Sequence, residues 1–181
     1  MPNILLVSAT EVEHSENEIY GVPIHIVGIG KYNSTINTYG LIEKYKPDIV
    51  INFGSCGNLS NHTPGTVLEV TNVVNDFYAG EIYKYNNIQL DTVLNREEVK
   101  CFTTDTFYEK DESYPKFYTN RIKSCDIVEM ELYGIAHICK IKNTPIYGYK
   151  WPSDDGDQLQ WKINAAIGFQ NFKLIFKSRF L

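Results

Sequence analysis

Short runs that are apolar on both faces of an extended chain constrain this sequence more than any other feature. They fall at residues 4–7, 24–27, 49–53 and 67–74, with shorter repeats at Ile127-Val128 and residues 146–149. A strand buried on both faces needs helices above and below its sheet. Helical stretches do lie between the runs. Residues 32–45 follow Gly28-Ile29-Gly30 and stop at Lys46-Pro47, since proline disfavours helix in the residue before it. Residues 130–142 carry Met130, Ile135, Ile138 and Ile141 at helical spacing and end before Asn143-Thr144-Pro145. Residues 159–176 place Trp161, Ala165, Phe169, Phe172 and Phe176 along one face, a stripe expected to meet the core. The alternation predicts a three-layer α/β fold with a mostly parallel central sheet flanked by helices. At 181 residues the chain has the length of one domain, expected to span 1–181. Residues 78–126, rich in Tyr, Asn and charge, show no clear period.

Composition narrows the class of partner. A net charge of -5, without clustered Lys and Arg, argues against a nucleic-acid backbone and leaves small molecules open. Cys56, Cys101, Cys125 and Cys139 form no CxxC pair, and the chain starts directly into Asn3-Ile4-Leu5-Leu6-Val7 without a basic leader. No apolar run reaches membrane-spanning length. Free thiols in a reducing cytoplasm, away from any membrane, are therefore expected. His14, His25, His62 and His137 show no ligand spacing, so neither a metal nor an organic cofactor is implied.

Ligands of open α/β sheets sit beyond the carboxyl ends of the strands. Four polar or glycine-rich segments occupy such places: 8–13, 54–58, 129–131 and 153–157. In Gly54-Ser55-Cys56-Gly57, small residues allow backbone N–H groups to approach a ligand and Ser55 adds a hydroxyl, although a plain turn would read the same way. Gly28-Ile29-Gly30-Lys31 lacks the third glycine of a dinucleotide loop and the Gly-Lys-Ser/Thr of a triphosphate loop, and reads as strand-to-helix packing. Glu129-Met130-Glu131 joins a strand end to a helix N-terminus. There a carboxylate either answers the helix dipole or accepts hydrogen bonds from sugar hydroxyls, with Met130 packing on the sugar face. Ser153-Asp154-Asp155-Gly156-Asp157 is either a solvated turn with a helix cap or a general acid whose neighbours raise its pKa.

The joint order of these stretches resembles the nucleoside phosphorylase superfamily, and within it the 5'-methylthioadenosine/S-adenosylhomocysteine nucleosidases. The matching residues are Ser8-Ala9-Thr10-Glu11-Val12-Glu13, Gly28-Ile29-Gly30-Lys31 and the run from Lys46-Pro47-Asp48 to Gly54-Ser55-Cys56-Gly57. Thr104-Asp105-Thr106-Phe107, Val128-Glu129-Met130-Glu131, Ala136-His137-Ile138-Cys139 and Ser153-Asp154 with Asp157 complete them. The resemblance implies hydrolysis of the N-glycosidic bond of a purine ribonucleoside to free base and sugar. It implies that Asp154 is the acid that protonates the purine at N7 and that Glu13 orients the attacking water. Glu131 would bind the ribose hydroxyls, Met130 would lie against the sugar and Phe107 would stack on the base. Glu129, Ser55, Gly57, Ser153 and Lys150 complete the expected substrate-binding set, Lys150 standing where the nucleosidases usually carry an Arg near ribose and water.

Phosphorolysis is one competing reaction. Phosphorylases of the resembling group hold phosphate with arginines, one of them two residues before the loop glycine. Here that position is Asn52, and no arginine precedes Arg96. Arginine suits bidentate phosphate clamping, a lone Lys31 substitutes poorly, and Glu13 would repel phosphate, so water is favoured. The chain is also shorter than the family between residues 78 and 101, where a helix and the 5' pocket usually arise, which leaves the 5' substituent open. Trp151-Pro152, a bulky and rigid pair expected beside the base, motivates an alternative substrate, a modified or 7-deazapurine nucleoside such as queuosine. A nucleoside-binding module without catalysis is the third reading, opposed by the joint presence of Glu13, Glu131 and Asp154. The resemblance further implies a homodimer, because family sites borrow residues across the interface.

Overall fold

The structure is a computed structural model that describes residues 2–77, 87–94, 97–107, 116–154 and 158–181; side chains are described for these residues except 116–118, 154 and 158–162. Strand β1 (Ile4–Ser8) leads through a 3-10 turn (Glu11–Glu13) to β2 (Glu18–Ile19) and β3 (Val22–Ile26). Helix α1 (Lys31–Tyr45) returns the chain to β4 (Ile49–Asn58), followed by β5 (Leu68–Val70), β6 (Asn72–Asn75), β7 (Asn87–Gln89) and β8 (Lys100–Thr103). Then come α2 (Lys116–Ile122), β9 (Ile127–Glu129), α3 (Leu132–Lys142), β10 (Ile146–Asp154) and α4 (Gln158–Phe180).

The expected α/β architecture is present, and the sheet is mixed. Parallel ladders join β3 to β1, β1 to β4, β4 to β10, and β6 to β8 to β9. Antiparallel ladders join β2 to β3, β5 to β10, β6 to β7 and the end of β4 to β9. From β4 the path runs through β10 and β5, across Thr71 into β6, then through β8 and β9 back to β4. Strand ends carrying polar residues are thereby drawn to one place.

Alternation along β1 shows why the runs are apolar on both faces. Leu5 and Val7 pack with Ile42 of α1 and with Leu132, Ile135, Ala136 and Cys139 of α3. Leu6 faces the other way, with Ile51, Phe53, Tyr149 and Trp151, against Phe169, Phe172 and Phe176 of α4. Each such phenylalanine, removed from water, contributes about 2 kcal/mol before conformational entropy is subtracted. Helix α1 ends as expected: Lys46 is left-handed (φ 46°) and its N–H donates to the Ile42 carbonyl at 2.9 Å, just before Pro47.

Several expectations need correction. The run at 49–53 does not stop before Gly54; β4 continues to Asn58. The run at 67–74 is two strands, because at Thr71 the chain leaves β10 and begins to pair with β8. Helix α3 starts at Leu132 rather than Met130, and Ile141 is 63% exposed instead of lining the core. The aromatic stripe of α4 faces the core at Ala165, Phe169, Phe172 and Phe176; the Trp161 side chain lies outside the described residues. Strands β2, β7 and β8 and helix α2 have no counterpart in the expected elements. All four cysteines are buried free thiols.

Candidate functional site

Glu13 closes the 3-10 turn after β1, a turn begun by Thr10, whose hydroxyl accepts the Val12 N–H at 3.4 Å. The turn folds the Glu13 side chain back over the sheet, where it is buried. Its Oε2 accepts from the Ser8 hydroxyl at 2.9 Å, and its Oε1 accepts from both the N–H and the hydroxyl of Ser55 at 2.8 Å. A Cβ on Gly54 would stand 2.8 Å from Glu13 Oε1, so this glycine makes room for the carboxylate. Gly57 has a different reason: a Cβ there would stand 2.8 Å from Cγ1 of Val128 on β9. The expected ligand loop is thus strand, with Ser55 turned to Glu13 and Gly57 to packing.

Glu129 ends β9 with its side chain tucked under α3. Its Oε2 accepts the N–H groups of Glu131 (2.9 Å) and Leu132 (2.7 Å), and lies 3.1 Å from Nζ of Lys150. Its Oε1 accepts from Thr103 Oγ1 at 2.5 Å, and that hydroxyl accepts the Tyr133 N–H at 3.1 Å. Three successive amides of the helix start are satisfied by this pair of side chains. Glu129 is thus a capping carboxylate placed before the helix it caps.

Glu131 occupies the N-cap position of α3 without a side-chain cap bond. Its Oε1 accepts the Gly30 N–H at 2.9 Å, and among the described residues Oε2 has no hydrogen-bond partner. Burial first, then the charges of Glu129 and Glu13, push its carboxyl up to about 8 against the opposing pull of Lys150 and the Gly30 N–H. Lys150 is 2% exposed. Burial pulls its ammonium down, but Glu129, Glu131 and Glu13 together outweigh that and hold it above the ordinary lysine value. One cation therefore lies beneath three carboxylates.

The Gly28–Lys31 segment has more to do than pack. Gly28 and Gly30 both have positive φ (83° and 88°), a conformation that turns the Gly30 N–H to Glu131. Lys31 begins α1, donates its N–H to Asp105 Oδ1 at 3.2 Å, and extends its ammonium to Asp76, Asn75 and Asp105. The ends of β6 and β8 are thereby tied to the start of α1.

The remaining expected residues are placed as follows. Met130 is half-buried between Glu129 and Glu131, and Phe107 is 51% exposed beyond the end of β8. Ser153 is buried, donating from Oγ to the Cys56 carbonyl at 3.4 Å and accepting at its carbonyl from Asn164 at 2.7 Å. The backbone of Asp154 pairs with Gly57 on β4, whose other edge pairs with Val128 on β9. Asp154 and the Glu129–Glu131 corner therefore flank one strand, about 10 Å apart across two strand spacings. The Asp154 side chain, Asp155 and Asp157 lie outside the described residues. Trp151 is not beside this site. It is fully buried on the α4 side, against Phe53 and Phe172, over Gly168, which leaves space for its ring.

Sequence alone gives Ser8 and Gly30 no role beyond their matching stretches, and gives Thr103 none. Ser8 had a signal, as the first polar residue after an apolar run that ends at a strand's carboxyl edge. Among the described residues no cluster of His, Cys, Asp and Glu is arranged to hold a metal ion. No described helix is long and apolar enough to cross a membrane.

Comparison with known proteins adds to this geometry. The family model described as Phosphorylase superfamily matches residues 17–93. A 5'-methylthioadenosine/S-adenosylhomocysteine nucleosidase of Buchnera aphidicola subsp. Baizongia pistaciae is 30% identical over 175 residues, covering 82% of this chain and 68% of that protein. The crystal structure of a nucleosidase of the same name from Neisseria meningitidis, in complex with methylthio-immucillin-A, matches with a TM-score of 0.78 at 22% identity, over 97% of this chain and 98% of that one. Futalosine hydrolase of Helicobacter pylori matches with a TM-score of 0.76 at 16% identity, over 97% of each chain. At those identities the two structures speak to the fold.

Proposed function

The chain belongs to the 5'-methylthioadenosine/S-adenosylhomocysteine nucleosidase family of the phosphorylase superfamily, and from that premise we propose that it hydrolyses the N-glycosidic bond of a purine ribonucleoside of methylthioadenosine or adenosylhomocysteine type. The observation that carries this reading is the buried group of Glu13, Glu129 and Glu131 around Lys150. Such a group carries excess negative charge. It disfavours a phosphate dianion and favours a sugar that becomes cationic as its base departs.

In the proposed reaction Asp154 gives its proton to N7 of the purine, and the C1'–N9 bond breaks with its electron pair going to the base. Oε2 of Glu131 accepts from the ribose hydroxyls, and the carboxylate stabilises the oxocarbenium-like sugar. Glu13 accepts a proton of the attacking water as the water oxygen bonds to C1'. Phe107 stacks on the base and Met130 packs on the sugar. Asn52 supports water over phosphate: it is buried in β4 and donates to the Val7 carbonyl at 3.2 Å, in the position expected of a phosphate-clamping arginine.

The alternative substrate, a modified purine nucleoside, retains the fold-level likeness to futalosine hydrolase as its support, but Trp151 no longer argues for it. We further propose a homodimer, supported by the exposed stripe of Ile29, Tyr32, Ile36 and Tyr39 along the start of α1. The four free thiols support a cytoplasmic location, and the ladder joining the described strands supports one domain over residues 1–181.

Incubation with methylthioadenosine, adenosylhomocysteine, adenosine and queuosine, each with and without phosphate, tests the reading. Release of adenine and free sugar independent of phosphate is expected. Release that strictly requires phosphate and yields a sugar 1-phosphate would overturn hydrolysis.

A further inference from the structure

We propose that Lys150 is a positioning residue for the glycosidic reaction: its ammonium holds Glu129 on the start of α3, and through that cap it fixes the Glu131 carboxylate. The proposal rests on the nucleosidase reading of the site. Resemblance alone would set a substrate-touching cation here, but Lys150 is 2% exposed and lies beneath the carboxylates.

The chain of contacts is short. On β10, Lys150 pairs with Gly54 of β4 on one side and with Leu68 of β5 on the other. Glu13 lies over Gly54, so the lysine side chain crosses the floor of the site with Glu13 as a neighbour. Its Nζ reaches Glu129 Oε2 at 3.1 Å, the same oxygen that accepts the N–H groups of Glu131 and Leu132. Glu129 accepts two amides and a hydroxyl in a buried place, and a carboxylate there needs a counter-charge. Lys150 supplies that charge. Glu131 is held at its backbone by this cap and at its side chain by Gly30, which leaves Oε2 to face the ligand.

Among the described residues, the charged groups that act on Glu131 come from three elements. Glu13 comes from the 3-10 turn, Glu129 from β9 and Lys150 from β10. Cys101 of β8 adjoins Glu129 and Lys150, and burial keeps its thiol neutral. Glu129 and Glu13 disfavour ionisation of Glu131, whereas Lys150 favours it. Deleting the lysine charge and deleting the Glu129 charge therefore move Glu131 in opposite directions, a signature that loss of packing does not produce.

The test compares full-length wild type with Lys150→Met, Lys150→Arg and Glu129→Gln. Two quantities are followed against pH: the thermal midpoint without ligand, and kcat and KM for whichever nucleoside the wild type hydrolyses. Lys150→Met is expected to lower kcat by on the order of 10²-fold, as displacement of a reacting geometry does, with a smaller rise in KM. Its ascending limb of kcat/KM moves to higher pH, Lys150→Arg restores the limb, and Glu129→Gln moves it to lower pH. Because Glu131 is raised in the folded protein, the folded state holds more protons than the unfolded one above the ordinary carboxylate range. The wild-type midpoint thus falls as pH rises through that window. Lys150→Met extends the fall upward, and Glu129→Gln shortens it. Limbs and midpoint profiles unmoved in both variants would overturn the proposal, and Glu129→Gln decides alone if Lys150→Met does not fold. A wild type inactive on every nucleoside sinks the nucleosidase reading, while the midpoint profiles still judge the coupling of Lys150, Glu129 and Glu131.

Discussion

Glu13 and Glu131 are both buried carboxylates at the carboxyl edge of the sheet, yet they are held in contrasting ways. Glu13 receives three neutral donors, two hydroxyls and one amide, and both of its oxygens are engaged. Glu131 receives one amide on one oxygen and stands among like charges. Donors fix a carboxylate in place, and like charges make it avid for a proton or a cation. The difference teaches that the Glu13 wall is a rigid acceptor suited to aiming a water. The Glu131 wall is an electrostatic one, suited to the sugar whose charge changes during reaction.

The contrast is broken most forcefully at Glu131. Glu131→Gln is expected to lower kcat/KM by on the order of 10³-fold, since the amide cannot answer a developing cation. The same variant should raise the thermal midpoint in alkaline solution, where the wild type carries a buried charge and the variant does not. Glu13→Gln removes an acceptor for the water proton but little of the cation's stabilisation. A loss on the order of 10²-fold, mostly in kcat, is expected from steady-state kinetics. Equal losses in kcat and KM for the two variants would dissolve the distinction.

Legibility followed the same division. Strands β1, β4 and β10 are readable because their runs are apolar on both faces, and the order of Glu13, Glu131 and Asp154 along the chain points to the candidate site. Strand β7 was not, because Asn87-Ile88-Gln89 offers one apolar residue among polar ones and owes its pairing to β6. Nothing in local sequence tells that the Lys150 ammonium lies against Glu129, a contact made only when β10 and β9 flank β4. Trp151 precedes Asp154 in sequence, yet alternation along β10 turns its ring to α4. Thr103 gave no signal, as its role exists only once β8 lies along β9.

A pH profile sharpens the comparison at a smaller scale. With the Glu131 carboxyl pushed up to about 8, the free protein gains its ionised acceptor as pH rises. Ionisation of Glu131 is therefore expected to make kcat/KM climb by up to about tenfold per pH unit on the acid side of that value, until loss of the Asp154 proton turns the profile down. The limb in kcat should lie at lower pH, because ribose hydroxyls that donate to Oε2 in the bound complex favour the ionised carboxylate. A flat kcat/KM profile between neutral and alkaline pH would mean that Glu131 is ionised throughout, and that the two walls differ less than their partners imply.

Ser8 offers the finest test, because it touches Glu13 alone of the two carboxylates. Its hydroxyl is one of three donors to Glu13 and lies fully buried at the end of β1. Ser8→Ala leaves both Ser55 contacts in place, so Glu13 stays near its position but loses the donor on Oε2. The loss of one such bond costs about 1 kcal/mol, which predicts a few-fold fall in kcat with little change in KM and a small drop in thermal midpoint. Because Glu131 is untouched, the ascending limb of kcat/KM should keep its wild-type position. A limb that moved with Ser8→Ala would show that the contacts of Glu13 reach Glu131, and that the division between an aiming wall and an electrostatic wall is too sharp.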